Sequence, residues 1–336
     1  MVLLDALYIN NSGGRILLNE MILQLHDSGK HVFYLLDKRV RGSYDFLPHE
    51  NVMYLENSLI KRHKFYLKRG TEFSTVLCFG NIPPSIRLKA KVYTYFHNTI
   101  YFYTSNAFSP RVKWMSRIKA LVIRTFKNNT DKWWVQTDEV TKLFGKFWGI
   151  PSNKIEVLPF FLSKTVENIS EKDREKNSFL FISDGHPNKM HLQLLEAMQE
   201  VYLTYPDTKL YLTISAQYPA LLAKIEELKN NGLGVENLGW CDEEALDKLY
   251  RKCGFFIFPS NQESFGLGLI EASQYEMKIL ASDLPFTHAV ISPSLVFQPE
   301  DKTEIAKAMV RARETELTKA RLLISSQINQ ILKKLI

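Results

Sequence analysis

The chain has 336 residues, of which 45% are hydrophobic and 24% are charged, and its formal net charge is +7. This composition is typical of a globular protein with two domains, and it excludes disordered and collagen-like chains. Three cysteines without metal-type spacing indicate a reducing compartment. No apolar stretch is long enough to span a membrane and the N-terminus lacks a basic signal segment, so we expect a cytoplasmic protein.

Basic residues are distributed unevenly along the chain. Residues 1–160 hold 23 lysines and arginines against 12 acidic residues, whereas residues 161–336 hold 20 against 24. Most of the excess lies in residues 57–130, where 14 basic residues accompany one acidic residue, Glu72. Such an asymmetry indicates that one half of the protein binds an anionic partner, either nucleic acid or an anionic membrane.

Short apolar runs alternate with helical patterns, which predicts an α/β fold with parallel sheets. In the first half, strands are predicted at residues 2–9, 31–36, 75–79, 91–97, 133–136 and 155–158. The polar segment 163–177 predicts a linker, and strands follow at residues 178–183, 209–214, 235–238, 255–258 and 278–281. We therefore expect domains at residues 1–162 and 178–318, and a C-terminal helix at 319–336 that can return to the first domain.

In the first predicted domain, Gly13 and Gly14 follow the first strand. They would let a ligand approach the backbone, although a plain tight turn explains them equally well and the spacing is not a dinucleotide fingerprint. His97 ends an apolar strand and is a candidate site residue, but histidine in this position is more often a core residue.

Residues 61–69 and 111–124 mix basic with apolar or aromatic side chains at helical spacing. Helices of this kind lie in the membrane interface, where each basic residue near anionic lipid contributes about 1 kcal/mol. The same composition suits single-stranded nucleic acid, and it also fits a merely solvated basic face.

The second predicted domain carries two candidate anion sites after its strands. Lys189 follows the first strand, where its charge suits phosphate, although a solvated lysine is the alternative. Further on, a buried strand ends at Pro259, a loop carries Glu263, and a helix is predicted to open near Gly266. A helix N-terminus suits phosphate, and carboxylates accept hydrogen bonds from sugar hydroxyls.

Glu263 and Glu271 are eight positions apart, about two helical turns, so we expect them on one side of the element. Both can equally be solvated surface residues. The surrounding residues 259–272, with Pro-Ser, Glu-Ser-Phe-Gly and Glu-Ala, resemble the Glu-x7-Glu motif of glycosyltransferase family 4. The resemblance extends over about residues 178–300 and is looser in the N-terminal half.

The resemblance implies the GT-B fold, with two Rossmann-like domains whose parallel sheets face each other across a cleft. It implies a retaining transferase that moves a sugar from a nucleotide-sugar to a glycan or lipid-linked oligosaccharide. The setting would be the synthesis of a surface polysaccharide such as lipopolysaccharide or capsule.

The resemblance also implies roles for individual residues. Glu271 would bind the ribose, Glu263 the donor sugar and Lys189 a phosphate. The remaining matches are backbone N–H groups facing the sugar and diphosphate at Phe265, Gly266 and Leu267, a nucleobase loop at Gly239 and Trp240, a diphosphate or acceptor contact at Gly13 and Gly14, and a place near the reacting sugar for His97. Where the family often has a phosphate-binding arginine, this chain has Ser183 and Asp184.

The sequence holds no other catalytic motif. HExxH, GxSxG, a Walker loop and Asp-x-Asp are absent, so we expect an enzyme that needs neither a metal ion nor a cofactor. Its catalytic residues would be Glu263, His97 and Lys189. For an enzyme of glycan assembly, a lipid-linked acceptor favours membrane contact through residues 57–130, at the inner face of an anionic membrane, over nucleic acid. The alternative is a non-catalytic membrane- or nucleic-acid-binding protein on a degenerate GT-B scaffold.

Overall fold

A computed structural model describes residues 1–10, 12–104, 108–167 and 169–336. The chain divides into two compact units. Unit 1 comprises residues 1–104, 109–162 and 325–336, and unit 2 is built mainly from residues 163–324. Within the described ranges, none of the helices combines the length and hydropathy needed to cross a membrane.

Unit 1 is built on a parallel sheet of seven strands. These are β1 (Val2–Ala6), β2 (Val32–Asp37), β3 (Val52–Leu55), β4 (Thr75–Cys78), β5 (Lys91–Phe96), β6 (Lys132–Val135) and β7 (Ile155–Val157), in the order β3-β2-β1-β4-β5-β6-β7. Its helices within residues 1–162 are α1 (Ser12–Asp27), α2 (Leu59–Arg69), α3 (Pro110–Phe126) and α4 (Asp138–Trp148). The central strands are apolar runs because the core covers both faces of a parallel sheet.

A buried ion pair connects α2 to the middle of this sheet. Asp5 of β1 accepts a hydrogen bond from Nε of Arg62 at 2.7 Å, and both side chains are buried. Arg62 also donates to the carbonyl oxygens of Ile82 and Pro83, at 2.8 and 2.9 Å. The loop after β4 is therefore fixed to the same guanidinium as the central strand.

Unit 2 contains a second parallel sheet and a short antiparallel pair. Its strands are β8 (Glu175–Phe181), β9 (Lys209–Leu212), β10 (Gly234–Asn237), β11 (Cys253–Phe258), β12 (Lys278–Ser282), β13 (Ile291–Ser292), β14 (Leu295–Phe297) and β15 (Arg321–Leu322). The main order is β10-β9-β8-β11-β12-β14, and β13 pairs with β15. The helices are α5 (His191–Thr204), α6 (Pro219–Asn230), α7 (Glu243–Lys252), α8 (Leu267–Gln274), α9 (Pro285–His288) and α10 (Lys302–Glu314).

The segment 163–177 ends as part of unit 2. Strand β8 already begins at Glu175, and the Arg174 guanidinium donates to the carbonyl oxygens of Tyr250, Cys253 and Tyr275 at 2.7 to 2.8 Å. Three backbone acceptors around one guanidinium hold this part of the segment against the unit.

The C-terminal residues also differ from one continuous helix over 319–336. Residues 321–322 form β15, and α11 (Ile328–Leu335) begins later. Gln327 donates its backbone N–H to the Pro159 carbonyl at 2.7 Å, and Ile331 and Leu335 are buried within unit 1. The chain thus leaves unit 2 and returns to unit 1 at residue 325.

Replacing Arg62 with leucine leaves the Asp5 carboxylate buried without its cationic partner, although Tyr66 and Leu7 still donate to it, so we expect the free energy of unfolding to fall by about 3–5 kcal/mol. Urea denaturation followed by tryptophan fluorescence measures this loss in unit 1, which holds four of the five tryptophans. Lys61→Ala is the matched control, because Lys61 pairs with Glu56 in solvent. Equal unfolding midpoints for the two variants would contradict the assignment.

Candidate functional site

Two loops of unit 2 lie at the same edge of its sheet. One follows β8 and the other follows β11, and these strands are neighbours in the sheet. The Asn188 side chain donates to the carbonyl oxygen of Gln262 at 2.8 Å, while the Asn261 backbone N–H donates to the Asn188 carbonyl at 2.9 Å. The two loops are therefore fastened together, and Asn188 is a residue that sequence patterns did not single out.

Lys189 and Glu263 form an ion pair across these loops. Lys189 Nζ lies 2.5 Å from Glu263 Oε1 and 5.5 Å from the centre of the Phe258 ring. Both side chains are mostly buried. The structure thus brings together two of the predicted site residues, an ammonium suited to phosphate and a carboxylate suited to hydroxyl groups.

Glu271 lies on α8 and contacts a residue that the sequence did not identify as functional. Tyr250 donates its phenolic hydroxyl to Glu271 Oε2 at 2.8 Å. Burial raises the pKa of Glu271, and the hydrogen bond from Tyr250 and the charge of Lys164 act in the opposite direction. The carboxylate is held on one oxygen by the protein.

The start of α8 corrects one expectation about the two glutamates. The helix begins at Leu267, so Glu263 lies in the preceding loop and the two-turn spacing does not apply. Gly266 stands just before the helix with φ +76°, a conformation that favours glycine. The Phe265 ring is buried, and the first turn from Leu267 offers backbone N–H groups that a helix cannot pair internally.

Gly239 and Trp240 follow β10, which is the outermost strand of the same sheet. Gly239 has φ +70°, and the Trp240 side chain is 81% exposed. A bare indole beside a left-handed turn offers a flat apolar surface on which an aromatic ring can stack.

Asp184 occupies the region where the resemblance leads one to look for an arginine. Its carboxylate accepts hydrogen bonds from Gly185 N at 3.0 Å, and from Ser215 N and Oγ at 3.2 and 2.9 Å. Burial raises the pKa of Asp184, but these hydrogen bonds outweigh it and lower the pKa. This carboxylate holds the loop after β8 to the loop after β9.

In unit 1, the glycine pair that follows the first strand lies within a helix. Helix α1 begins at Ser12, so Gly13 and Gly14 belong to its first turn, and Asn11 lies outside the described residues. A Cβ at Gly14 would stand 3.1 Å from His97 Cε1. The absence of a side chain at Gly14 therefore makes room for the His97 imidazole. Two of the predicted site residues thus lie next to each other.

His97 is the first residue after β5, and its ring is fixed by the loop after β4. Nε2 lies 3.0 Å from the Phe79 carbonyl oxygen, and the His97 backbone N–H donates to Asn81 Oδ1 at 2.7 Å. Burial lowers the pKa of His97 to about 4, so the ring is neutral at pH 7. The shorter contact of Nε2 is with a carbonyl, which only accepts, whereas the donating Asn81 Nδ2 lies farther away at 3.3 Å, so we assign the hydrogen to Nε2 and the acceptor lone pair to Nδ1.

The basic segments of unit 1 form α2 and α3. Helix α3 buries only Ser116 and Ile123 among its residues, while Trp114 and Leu121 are 61% and 63% exposed. On α2, Ile60 and Leu67 are similarly exposed. We call these exposed sides of α2 and α3 the basic-apolar face.

The second half of the chain matches a known family. Residues 163–326 match the family model described as Glycosyl transferases group 1. The match covers 164 of the 336 residues. The predicted glycosyltransferase resemblance is thereby confirmed, while membership of family 4 itself stays a prediction.

A curated relative of this group 1 half is the serotype-specific mannosyltransferase WbdA of Escherichia coli. The two are 30% identical over 136 residues, which is 39% of this chain and 17% of the length of WbdA. The chain therefore spans about a sixth of the curated relatives that it matches.

Solved structures similar to more than nine-tenths of the chain show its fold. Anabaena Alr3699/HepE in complex with UDP and glucose has a TM-score of 0.70 at 14% identity, covering 93% of this chain and 89% of that chain. Sucrose-phosphate synthase from Thermosynechococcus elongatus has a TM-score of 0.68 at 16% identity, covering 92% and 88%. The predicted GT-B fold is confirmed.

Gly14→Ala tests the packing of the imidazole in unit 1. The added methyl group crowds His97, so we expect the His97 resonances to move in NMR spectra of the ¹⁵N-histidine-labelled protein, and the free energy of unfolding to fall by about 1–3 kcal/mol. Gly145→Ala is the control, since Gly145 faces open space on α4 and alanine favours a helix. Unmoved His97 resonances in Gly14→Ala would refute the contact.

Proposed function

We propose that this chain is a retaining glycosyltransferase that moves a sugar from a nucleotide-sugar to a glycan or lipid-linked oligosaccharide in surface-polysaccharide synthesis. The observation that carries the proposal is the Lys189–Glu263 pair on the fastened loops of unit 2, within the half that matches the family model. The mannosyltransferase activity named for WbdA makes a mannosyl donor the first to test.

The donor would be bound by groups that each match one part of its chemistry. Glu271 would accept hydrogen bonds from ribose hydroxyls on the oxygen opposite Tyr250, and the Trp240 indole would stack on the nucleobase. Glu263 would accept hydrogen bonds from the donor sugar. Each assignment pairs an acceptor or an apolar plane with the donor group that it suits.

The departing diphosphate gains negative charge as its bond to the anomeric carbon breaks. The Lys189 ammonium and the backbone N–H groups of the first turn of α8 would stabilise that charge from fixed positions. This arrangement supplies the electrostatic stabilisation without a resident metal ion or cofactor. The neutral His97 in unit 1 would accept a hydrogen bond from a sugar hydroxyl through Nδ1.

We further propose that the protein works as a peripheral protein at the inner face of an anionic membrane, through residues 57–130. The basic-apolar face supports this, because Trp114 and Leu121 stand exposed beside cationic side chains. Within the described part of the chain, Arg117, Lys119 and Arg124 have no carboxylate partner. Exposed apolar groups between unneutralised cations suit the interface of anionic lipid better than water.

Glu271→Ala removes the proposed ribose acceptor, so we expect nucleotide binding to be lost while the far-ultraviolet circular dichroism spectrum is unchanged. Calorimetry with UDP, GDP and ADP measures the affinity, and release of nucleotide from UDP-, GDP- and ADP-linked hexoses measures turnover. Glu244→Ala, on the exposed side of α7, is the control. Unchanged nucleotide affinity in Glu271→Ala would overturn the ribose assignment, and a wild-type protein inert towards all donors would favour the non-catalytic alternative.

The double variant Arg117→Gln/Arg124→Gln should bind vesicles of phosphatidylcholine and phosphatidylglycerol about 10- to 30-fold more weakly than the wild type, because two basic residues contribute about 2 kcal/mol. Vesicle sedimentation measures the partitioning. Lys229→Gln/Lys307→Gln removes the same charge from exposed sites of unit 2 and should bind as the wild type does. Steeply salt-dependent binding to a single-stranded oligonucleotide without vesicle binding would replace the membrane with nucleic acid.

A further inference from the structure

We propose that Tyr250 is a positioning residue for nucleotide binding, which holds the Glu271 carboxylate in the orientation that the ribose requires. The inference rests on the proposed function only in taking Glu271 as the group that binds the ribose. What it adds is a second residue, on a different helix, through which the affinity and its pH dependence are set.

Tyr250 contacts Glu271 directly, in the interior of unit 2. Tyr250 stands in the last turn of α7 and is buried, and its hydroxyl lies 2.8 Å from Glu271 Oε2. Among the described residues, this is the one hydrogen bond that the Glu271 side chain accepts. Burial raises the pKa of Tyr250 well above its ordinary value, so the hydroxyl keeps its hydrogen and donates across the physiological range.

Neighbouring rings fix the direction in which Tyr250 donates. Its ring stacks on Tyr275 with centres 4.6 Å apart and planes 15° apart, and the Phe256 ring lies 5.9 Å away. Tyr275 donates its own hydroxyl to Asp247 Oδ1 at 2.7 Å, away from Glu271. Two stacked tyrosines thus serve two different carboxylates, and the second provides a matched control for the first.

The charges around Glu271 make its pKa depend on the hydrogen bond from Tyr250. Burial raises the pKa of Glu271, and nearby Glu243 raises it further. The bond from Tyr250 and the charge of Lys164 lower it, but Lys164 is itself paired with Glu243 at 2.7 Å. Tyr250 is therefore the neutral donor that opposes the rise in the pKa of this largely buried carboxyl group.

A pH effect on binding follows from this arrangement. The ribose hydroxyls donate to a carboxylate, so nucleotide affinity falls as Glu271 takes up a proton at acid pH. Without the Tyr250 hydroxyl the pKa of Glu271 rises, and the acid loss of affinity must move to higher pH. A role for Tyr250 in packing alone would leave that profile where it is.

The experiment compares Tyr250→Phe with Tyr275→Phe, each of which removes one oxygen and keeps the stacked ring. We expect Tyr250→Phe to bind UDP, GDP or ADP, whichever the wild type binds, about tenfold more weakly at neutral pH, the low end for a hydrogen bond to a charged group. Its affinity profile between about pH 5 and about pH 8 should shift upwards. Tyr275→Phe should match the wild type in both respects.

Glu271→Gln separates the possible outcomes, because an amide cannot ionise. In that background, adding Tyr250→Phe should leave the pH profile unchanged, since the coupling between the two groups is gone. Wild-type affinity and an unshifted profile in Tyr250→Phe, with binding lost in Glu271→Ala, would overturn the inference and leave the proposed function standing. Nucleotide binding retained in Glu271→Ala would instead show that the ribose assignment has failed.

Discussion

In a parallel sheet the carboxyl ends of all strands lie on the same side, and this constraint determines where each unit can bring polar side chains together. In unit 2 it makes the loops after β8 and β11 neighbours, so that Asn188 fastens them and Lys189 reaches Glu263. In unit 1 it places His97 beside the first turn of α1, at Gly14. In unit 2 the charged groups meet because β8 and β11 are adjacent, whereas in unit 1 His97 reaches Gly14 although β4 lies between β5 and β1.

Support for these loops comes from inside each unit. In unit 1, the Arg62 guanidinium ties the segment after β4 to the central strand, and that same segment presents the Phe79 carbonyl and the Asn81 amide to His97. In unit 2, Tyr250 plays the corresponding part beneath Glu271. The positions of His97 and Glu271 therefore depend on hydrogen bonds from the buried residues Arg62 and Tyr250, respectively.

The sequence predicts the central strands and the Glu-x7-Glu stretch well, because buried strands are continuous apolar runs and the motif is compact. It misses β3, a strand of four residues that are all half-buried, and the short strands β13, β14 and β15. Helix α8 begins at Leu267, next to the predicted start near Gly266, but Glu263 precedes it, so helical spacing does not relate Glu263 to Glu271. Tyr250 escapes detection since its partner lies 21 positions away and no spacing links the two.

The return of the chain to unit 1 has a consequence for biosynthesis. Unit 1 includes α11, whose Ile331 and Leu335 are buried, but these residues are translated only after residues 163–324 of unit 2. Domains generally fold as they leave the ribosome. Unit 2 is therefore fully synthesised before unit 1 is complete. Until then, the surface of unit 1 that α11 later covers stays exposed, and chaperones can bind it.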